Sequence, residues 1–229
     1  MTWQVAMTTA PRKGVDYLAQ TLESLDLAGW DSNEVTLNCE PDSPIPASFP
    51  EGNAYHNFHI EGPWPSFKRA LFLSTRRPAR VYMICQDDIV FPADLRWHLE
   101  TDPQFMRLID DNNVISLYTA GPNHVENGGW HQITKLPKLA YGALAYVFPA
   151  KVAKELTYWN HSSTSKTKTD HWVGKFVSLN PDREYWTHSP SFIQHVGAIS
   201  SLTNDPRTEP GLNHFRVATE VWRGENKAD

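Results

Sequence analysis

The sequence has few cysteines, and this excludes one class of fold. Of its 229 residues, only Cys39 and Cys85 are cysteine. The run VTLN directly precedes Cys39, and the run VYMI directly precedes Cys85. Small secreted domains stapled by disulfides carry a much larger share of cysteine. We therefore predict that both thiols are reduced and partly buried, and that a hydrophobic core holds the fold together.

Long hydrophobic runs are also absent. No window approaches the roughly 18 apolar residues of a membrane-spanning helix. The first residues, MTWQVAMTTAPR, lack the basic stretch followed by an apolar stretch that marks a secretory signal. We expect no signal peptide, no membrane anchor and a cytoplasmic location, in a bacterium or in the cytosol of a virus-infected host.

An excess of positive charge is missing as well. The chain has 21 Lys and Arg against 26 Asp and Glu, which gives a net charge of −5. This balance argues against a dedicated nucleic-acid-binding protein, which usually carries a basic surface. Local basic clusters remain, although each is more typical of a solvated face; they comprise Lys68, Arg69, Arg76, Arg77 and Arg80, and separately Lys166 and Lys168.

Alternating apolar strand-like and amphipathic helical segments are what the sequence does contain. Leu18, Leu22 and Leu25, for example, follow the spacing of one helix face. The alternation predicts an α/β fold whose central sheet is mainly parallel and flanked by helices.

The boundaries within the chain are predicted from turn residues and polarity. We expect one domain over residues 1–200 and a polar C-terminal extension over 201–229, in which prolines recur. Residues 57–62 read as a short strand, and residues 121–133 read as a polar loop.

Polar side chains follow three of the predicted strands at the point where each strand ends. In parallel sheets, ligands bind beyond the carboxyl ends of the strands, so these residues should converge on one crevice. They are Thr9 and Arg12, Glu40 and Asp42, and Asp87 and Asp88.

The adjacent carboxylates Asp87 and Asp88 follow a run that reads as a buried strand. Buried carboxylates are costly and neighbouring ones repel, and Mg²⁺ or Mn²⁺ relieves both effects while sharing its coordination with phosphates. His195, in an apolar surround, offers a further ligand that suits Mn²⁺. The structural alternatives are a pair that caps the next helix, for which Asp94 is better placed, and an ordinary core histidine.

Four segments bear a family resemblance. ICQDDIVFP resembles the LEDDIV motif of the N-acetylglucosaminyltransferase IV type of glycosyltransferase, and PSFIQHVGAISSL resembles its PSLFQHVGTHSSL. TTAPRKGVDYLAQTLESL and DHWVGKFVSLNPD are similar to two further segments of that family, in the same order. Together they cover about a quarter of the chain, between Thr9 and Leu202.

The resemblance implies a GT-A fold over residues 1–200 and an inverting, metal-dependent sugar transfer from a nucleotide sugar, with UDP expected. Asp88 would be the direct metal ligand within a DxD-like motif that includes Asp87. His195 would bind the metal or the diphosphate, and Thr9 and Arg12 would lie at the nucleotide.

Our own reading of the strand ends adds Glu40 and Asp42 as base or ribose contacts. Where the family has Glu, this chain has Gln86. It is also shorter than the family's members.

An inverting transfer needs a general base, and Asp170 is our candidate. It follows a polar loop, opens a predicted helix and matches the Asp of the family's DHILW segment. The alternative is a helix N-cap, a role that Asp fills well. Trp130 and Trp172 are candidates for stacking on a sugar.

The acceptor is left open among a glycan, a protein and a hydroxymethylated DNA base. A DNA acceptor would need a cleft for a flipped base and cations for its phosphates. Two functions of other classes stay open: a metal-dependent nucleotide-sugar phosphohydrolase and a catalytically inactive sugar-binding module.

Overall fold

A computed structural model describes residues 1–12, 14–138, 140, 142–159, 169–197 and 222. The predicted extension over 201–229, apart from Trp222, lies outside the described residues, as do Lys166 and Lys168. The division at residue 200 therefore stays a prediction.

Strands and helices alternate along the described part of the chain. The strands are β1 (Trp3–Thr9), β2 (Val35–Cys39), β3 (Ala54–His56), β4 (Val81–Gln86), β5 (Ile89–Val90), β6 (Val114–Ser116), β7 (Gly129–Gln132), β8 (Ala145–Pro149), β9 (Tyr185–Ser189) and β10 (Gln194–His195). The helices are α1 (Tyr17–Leu27), α2 (Pro63–Thr75), α3 (Leu95–Thr101), α4 (Pro103–Asp110), α5 (Ala150–Tyr158) and α6 (Thr169–Ser178).

The central sheet has the strand order β3-β2-β1-β4-β8-β6-β9-β7. Strands β3, β2, β1 and β4 run parallel to one another, and β6 runs parallel to β9. β8 is antiparallel to both of its neighbours, and β7 is antiparallel to β9. The prediction of an α/β fold with a mainly parallel sheet flanked by helices is confirmed.

Both faces of the sheet are covered, which explains the apolar run before the two carboxylates. In β4, Val81, Met83 and Cys85 join the core layer of α1, α3 and α4, whereas Tyr82 and Ile84 join the layer of α2, α5 and α6. A strand buried on both sides has no solvated face, so its sequence is apolar until it ends. The first charged residues, Asp87 and Asp88, come after Gln86, beyond the carboxyl end of β4.

The two cysteines lie in these core layers as free thiols. Cys39 is 0% and Cys85 2% exposed, which is deeper than the partial burial predicted. Burial raises the pKa of both thiols, to about 12 for Cys39. Neither side chain is a thiolate at neutral pH, so neither serves as a nucleophile.

Local predictions were wrong in two places. The short strand predicted over residues 57–62 lies earlier, at β3, and the segment predicted as a loop over 121–133 contains β7. β7 forms because its backbone pairs with β9, from Gly129 opposite Ser189 to Gln132 opposite Trp186. In the described residues, no helix combines the length and the apolar character that crossing a membrane requires.

Candidate functional site

A cleft of about 380 Å³ opens at the carboxyl ends of β1, β2 and β4. Polar residues from these strand ends form one part of its wall, and apolar residues from the approach to α2 form another. The lining includes Thr9, Arg12, Glu40, Gln86 and Asp87, together with Pro11, Pro41, Ile60, Pro63 and Phe67. The convergence that the sequence predicted thus holds for these polar residues.

Asp87 is buried and bound to the end of β1. Its Oδ2 accepts hydrogen bonds from Thr9 Oγ1 at 2.6 Å, from Arg12 Nη1 at 2.7 Å and from the backbone N–H of Ala10 at 3.3 Å. Burial raises the pKa of the Asp87 carboxyl, and the hydrogen bond and charge of Arg12 oppose that rise. Asp87 therefore locks the β1 and β4 ends together.

Asp88 is fully buried, and the segment that carries His195 packs onto it. Its Oδ2 lies 3.1 Å from His195 Nε2 and 3.2 Å from Arg12 Nη2. β10 pairs antiparallel with β5 so that His195 stands opposite Ile89, and the N–H of Val196 donates to the Asp88 carbonyl at 2.9 Å. This small second sheet joins two motifs that are 107 residues apart.

The geometry of Asp88 and His195 fits a divalent cation. Two neighbouring ligands of an octahedral ion with bonds of about 2.1 Å stand about 3 Å apart, close to the distance between these donor atoms. A Cβ on Gly197 would lie 2.2 Å from Asp88 Oδ2 and 2.8 Å from His195 Nε2, so any side chain at this position would clash with both atoms.

Three protein ligands for one metal are not brought together. Among the described residues, no group of three His, Cys, Asp or Glu side chains could hold a metal ion. Asp87 Oδ2 is instead occupied by three donors. A metal here would need two protein ligands, with water and substrate phosphate completing its shell, which is the usual arrangement for Mg²⁺.

Thr21 is a site residue that sequence analysis missed. Its hydroxyl lies 2.7 Å from both the Asp87 and the Ile89 carbonyl oxygens, and it accepts from the Ile89 N–H at 3.3 Å. The residue is fully buried in α1. It therefore holds the shape of the turn that carries both carboxylates. The sequence offered one signal for this role: Thr21 is a polar residue next to the leucines that form the apolar face of the predicted helix.

Replacing Thr21 with valine should destabilise the fold. The change keeps the shape but leaves buried backbone groups without their partner, at a cost of about 1–3 kcal/mol. Urea unfolding of the variant measures the loss. The exposed Thr101, whose hydroxyl bonds to the Trp97 carbonyl, provides the control Thr101→Val, which should change stability much less. Equal losses in both variants would contradict the role given to Thr21.

Glu40 and Asp42 have different positions past β2. Glu40 is buried in the cleft wall, where its Oε2 accepts from the N–H of Glu61 at 3.1 Å. Asp42 is exposed in a turn with a φ of 62° and is not among the residues lining the cleft. Of the two predicted base or ribose contacts, Glu40 is the one beside the cleft.

Asp170 lies in the first turn of α6, beside the cleft. Its Oδ2 accepts from the N–H of Gly142 at 3.2 Å, and its Oδ1 accepts from the N–H of His171 at 2.8 Å. The neighbouring residues Thr169 and Ala143 line the cleft. Asp170 is half-buried, and two backbone N–H groups orient its carboxylate.

The two tryptophans considered for sugar stacking are packed into the protein. Trp130 donates from Nε1 to Asp102 and lies against Phe105 and Phe192. Trp172 is 7% exposed in a core layer. Neither residue is among those that line the cleft, so the structure gives no support to the stacking hypothesis for either.

Comparison of the chain with known proteins shows its fold. No protein-family model and no curated protein sequence matches it. The crystal structure of S. aureus TarS matches with a TM-score of 0.58 and 11% identity, over 88% of this chain and 38% of the TarS chain. This chain therefore spans well under half of the length of TarS.

Two further structures illustrate the range of proteins matched. TarS 1–349 in complex with UDP-GlcNAc has a TM-score of 0.49 and 13% identity, over 82% of this chain and 58% of that chain. A nucleotidyl transferase from Methanothermobacter thermautotroptrophicus has a TM-score of 0.50 and 10% identity, over 83% and 88%.

The likenesses to TarS and to the nucleotidyl transferase place the chain among GT-A-like folds, which glycosyltransferases and nucleotidyl transferases share. At such identities they show the fold alone. They do not single out the N-acetylglucosaminyltransferase IV family, whose resemblance rests on the four sequence motifs.

Proposed function

We propose that the protein is a metal-dependent inverting glycosyltransferase that moves a sugar from a nucleotide sugar to an acceptor hydroxyl. The observation that carries the proposal is the pairing of Asp88 with His195. Asp88 Oδ2 and His195 Nε2 are 3.1 Å apart just past the carboxyl end of β4, beside Gly197, where any side chain would clash with both atoms. In an α/β sheet, that edge is where ligands bind.

The cleft provides features that suit a nucleotide diphosphate. Mn²⁺ or Mg²⁺ held by Asp88 and His195 would neutralise the departing diphosphate. The guanidinium of Arg12 is placed to pair with phosphate oxygens. Thr9 and Asp87 keep Arg12 and the strand ends in register.

The nucleoside would bind in the apolar part of the cleft, next to the carboxylate of Glu40. Pro11 past β1, Pro41 past β2 and Phe67 in α2 line the cleft, and a planar base would pack against them. Glu40 in the same wall would bond to the base or ribose. We expect UDP as the nucleotide, and TarS, whose fold this chain shares, has been crystallised with UDP-GlcNAc.

Asp170 is the proposed general base. Its carboxylate would take the proton from the acceptor hydroxyl as the oxygen attacks the anomeric carbon. The N–H groups of Gly142 and His171 hold it in one orientation at the edge of the cleft. Such fixed placement is what proton transfer during attack requires.

A glycan or protein hydroxyl is favoured over a hydroxymethylated DNA base as the acceptor. Within residues 68–80, three of the cations that DNA phosphates would need already have hydrogen-bond partners on the protein. Lys68 donates to the Trp159 carbonyl at 2.9 Å, Arg77 to the Asn33 carbonyl at 2.9 Å, and Arg80 to Asp110 at 2.6 Å.

The first test is thermal stabilisation of the wild type by a panel of nucleotide sugars, with Mn²⁺ and with EDTA. A donor at about 100 times its Kd adds about 2.7 kcal/mol, which should raise the Tm by roughly 5–10 °C at this size. We expect such a shift for a UDP-sugar with metal and its loss in EDTA. Absence of a shift with every nucleotide sugar would reject the proposal.

Product analysis separates the transferase from the alternatives. A phosphohydrolase would release sugar phosphate from the donor without an acceptor. A nucleotidyl transferase would release pyrophosphate from UTP and a sugar 1-phosphate. An inactive sugar-binding module would bind the donor and convert nothing.

A further inference from the structure

Arg12 bridges the two carboxylates that precede β5. Its Nη1 lies 2.7 Å from Asp87 Oδ2, and its Nη2 lies 3.2 Å from Asp88 Oδ2. The three side chains are only 5%, 4% and 0% exposed, so the contacts are shielded from water and salt. Arg12 is thus a resident positive charge for the Asp87–Asp88 pair.

This bridge occupies the oxygen that a metal would use. Asp88 Oδ2 faces Arg12 Nη2 at 3.2 Å and His195 Nε2 at 3.1 Å. A divalent cation bound to Asp88 and His195 would lie within a few ångströms of the guanidinium, in surroundings where like charges repel strongly. Arg12 and the metal therefore compete for Asp88.

The two arms of the bridge are unequal. The arm to Asp87 is short and is supported by Thr9 and the Ala10 N–H on the same oxygen, whereas the arm to Asp88 is 0.5 Å longer. Arg12 also lines the cleft, so a modest movement of its side chain would bring the buried guanidinium to a phosphate bound there. A phosphate that draws Nη2 away would leave Arg12 anchored on Asp87.

We propose that Arg12 is an internal counter-cation that holds Asp88 until a nucleotide diphosphate displaces it, so that metal binding depends on nucleotide binding. The inference rests on the proposed function and adds an order of assembly to it. Without nucleotide, Arg12 neutralises the buried carboxylates and keeps metal affinity low. With nucleotide, Arg12 pairs with phosphate and Asp88 becomes available to the metal beside His195.

The test is a titration of the protein with Mn²⁺, with free Mn²⁺ followed by electron paramagnetic resonance, in the presence and absence of UDP. Mn²⁺ binding by UDP alone is measured without protein and subtracted. For the wild type, UDP should tighten Mn²⁺ binding at least about 10-fold. Arg12→Gln should bind Mn²⁺ at least about 10-fold more tightly than the wild type without UDP, and UDP should then add much less.

Two variants keep the test specific. Arg12→Lys retains the charge on a shorter side chain that cannot bridge both carboxylates, so its Mn²⁺ affinity should lie between those of the wild type and Arg12→Gln. Arg80→Gln removes a positive charge just before β4, at the opposite end of that strand, and should bind Mn²⁺ as the wild type does.

Stability gives a second readout. Arg12→Gln leaves two buried carboxylates without their cation, so its Tm in EDTA should fall, and Mn²⁺ should restore more of it than in the wild type. A variant that is unfolded in EDTA and folds with Mn²⁺ supports the proposal. A variant that is unfolded in both conditions overturns it, because the metal then fails to replace the cation.

The results also separate this inference from the proposed function. If the wild type binds a UDP-sugar and Mn²⁺ but a folded Arg12→Gln binds Mn²⁺ no more tightly, only the counter-cation role fails. If the wild type binds neither UDP nor any nucleotide sugar, the proposed function fails, and with it the basis of this inference.

Discussion

Replacing Asp88 with asparagine is expected to lower kcat at least about 100-fold and to remove the metal dependence of donor binding. Asparagine keeps the shape of the side chain but loses the negative charge that attracts a divalent cation. Asp88 follows β4 and contacts the His195 segment twice, through its Oδ2 and through its backbone carbonyl. Losing stabilisation of a departing charged group costs about 10²–10³-fold in comparable sites.

Two measurements decide this prediction. Steady-state turnover with the identified UDP-sugar gives kcat, and the Tm shift with Mn²⁺ and donor gives binding. The control is Asp111→Asn, which makes the same chemical change at an exposed carboxylate after α4 and should be neutral. Asp88→Asn that keeps near-normal kcat and the metal-dependent shift would remove Asp88 from the proposed metal site.

Replacing Asp170 with asparagine is the second large expected effect, with a loss of about 10²–10⁴-fold in kcat. Asparagine keeps the shape of the side chain and can accept one of the two hydrogen bonds that the oxygens of Asp170 accept from Gly142 and His171, but it cannot take a proton from the acceptor. The affinity for the nucleotide sugar should stay near normal, because the proposed contacts to its diphosphate are made by Asp88, His195 and Arg12. The effect should therefore fall on turnover and leave donor binding intact.

The pH profile distinguishes a base from a purely structural carboxylate. The pH dependence of kcat/KM should differ in shape between the wild type and Asp170→Asn, because only the wild type has a carboxylate there that can take the proton. Asp102 is a matched control, because it caps α4 by accepting from the N–H groups of Gln104 and Phe105. Asn caps a helix about as well as Asp, so Asp102→Asn should leave the profile unchanged. An unaltered profile in Asp170→Asn would assign the base elsewhere.

Much of the fold could be predicted from local patterns. The period of Leu18, Leu22 and Leu25 indicated α1, and the apolar run before Asp87 indicated a buried strand. β7 and β9 were not recognised. β7 is polar and begins at a glycine, so its identity as a strand comes from pairing across the sheet, which local propensity does not encode.

The candidate site divides in the same way. The sequence by itself determined that acids and hydroxyls follow the strands, because a doubly buried strand carries charge only beyond its end, and parallel strands end at one edge. Thr9, Arg12, Glu40 and Asp87 accordingly share one cleft wall. Asp42 follows the same rule in sequence, but its turn leaves it exposed.

Only the tertiary structure decided which of these groups touch. Arg12 reaches both carboxylates, and His195 comes to Asp88 through the pairing of β5 with β10, across 107 residues of chain. Thr21 supports the turn that carries Asp87 and Asp88 because α1 packs against that turn. Trp130 and Trp172 pack against or within the core and do not line the cleft. Such side-chain contacts depend on how the helices pack on the two faces of the sheet. The spacing of residues along the sequence does not give the resulting distances.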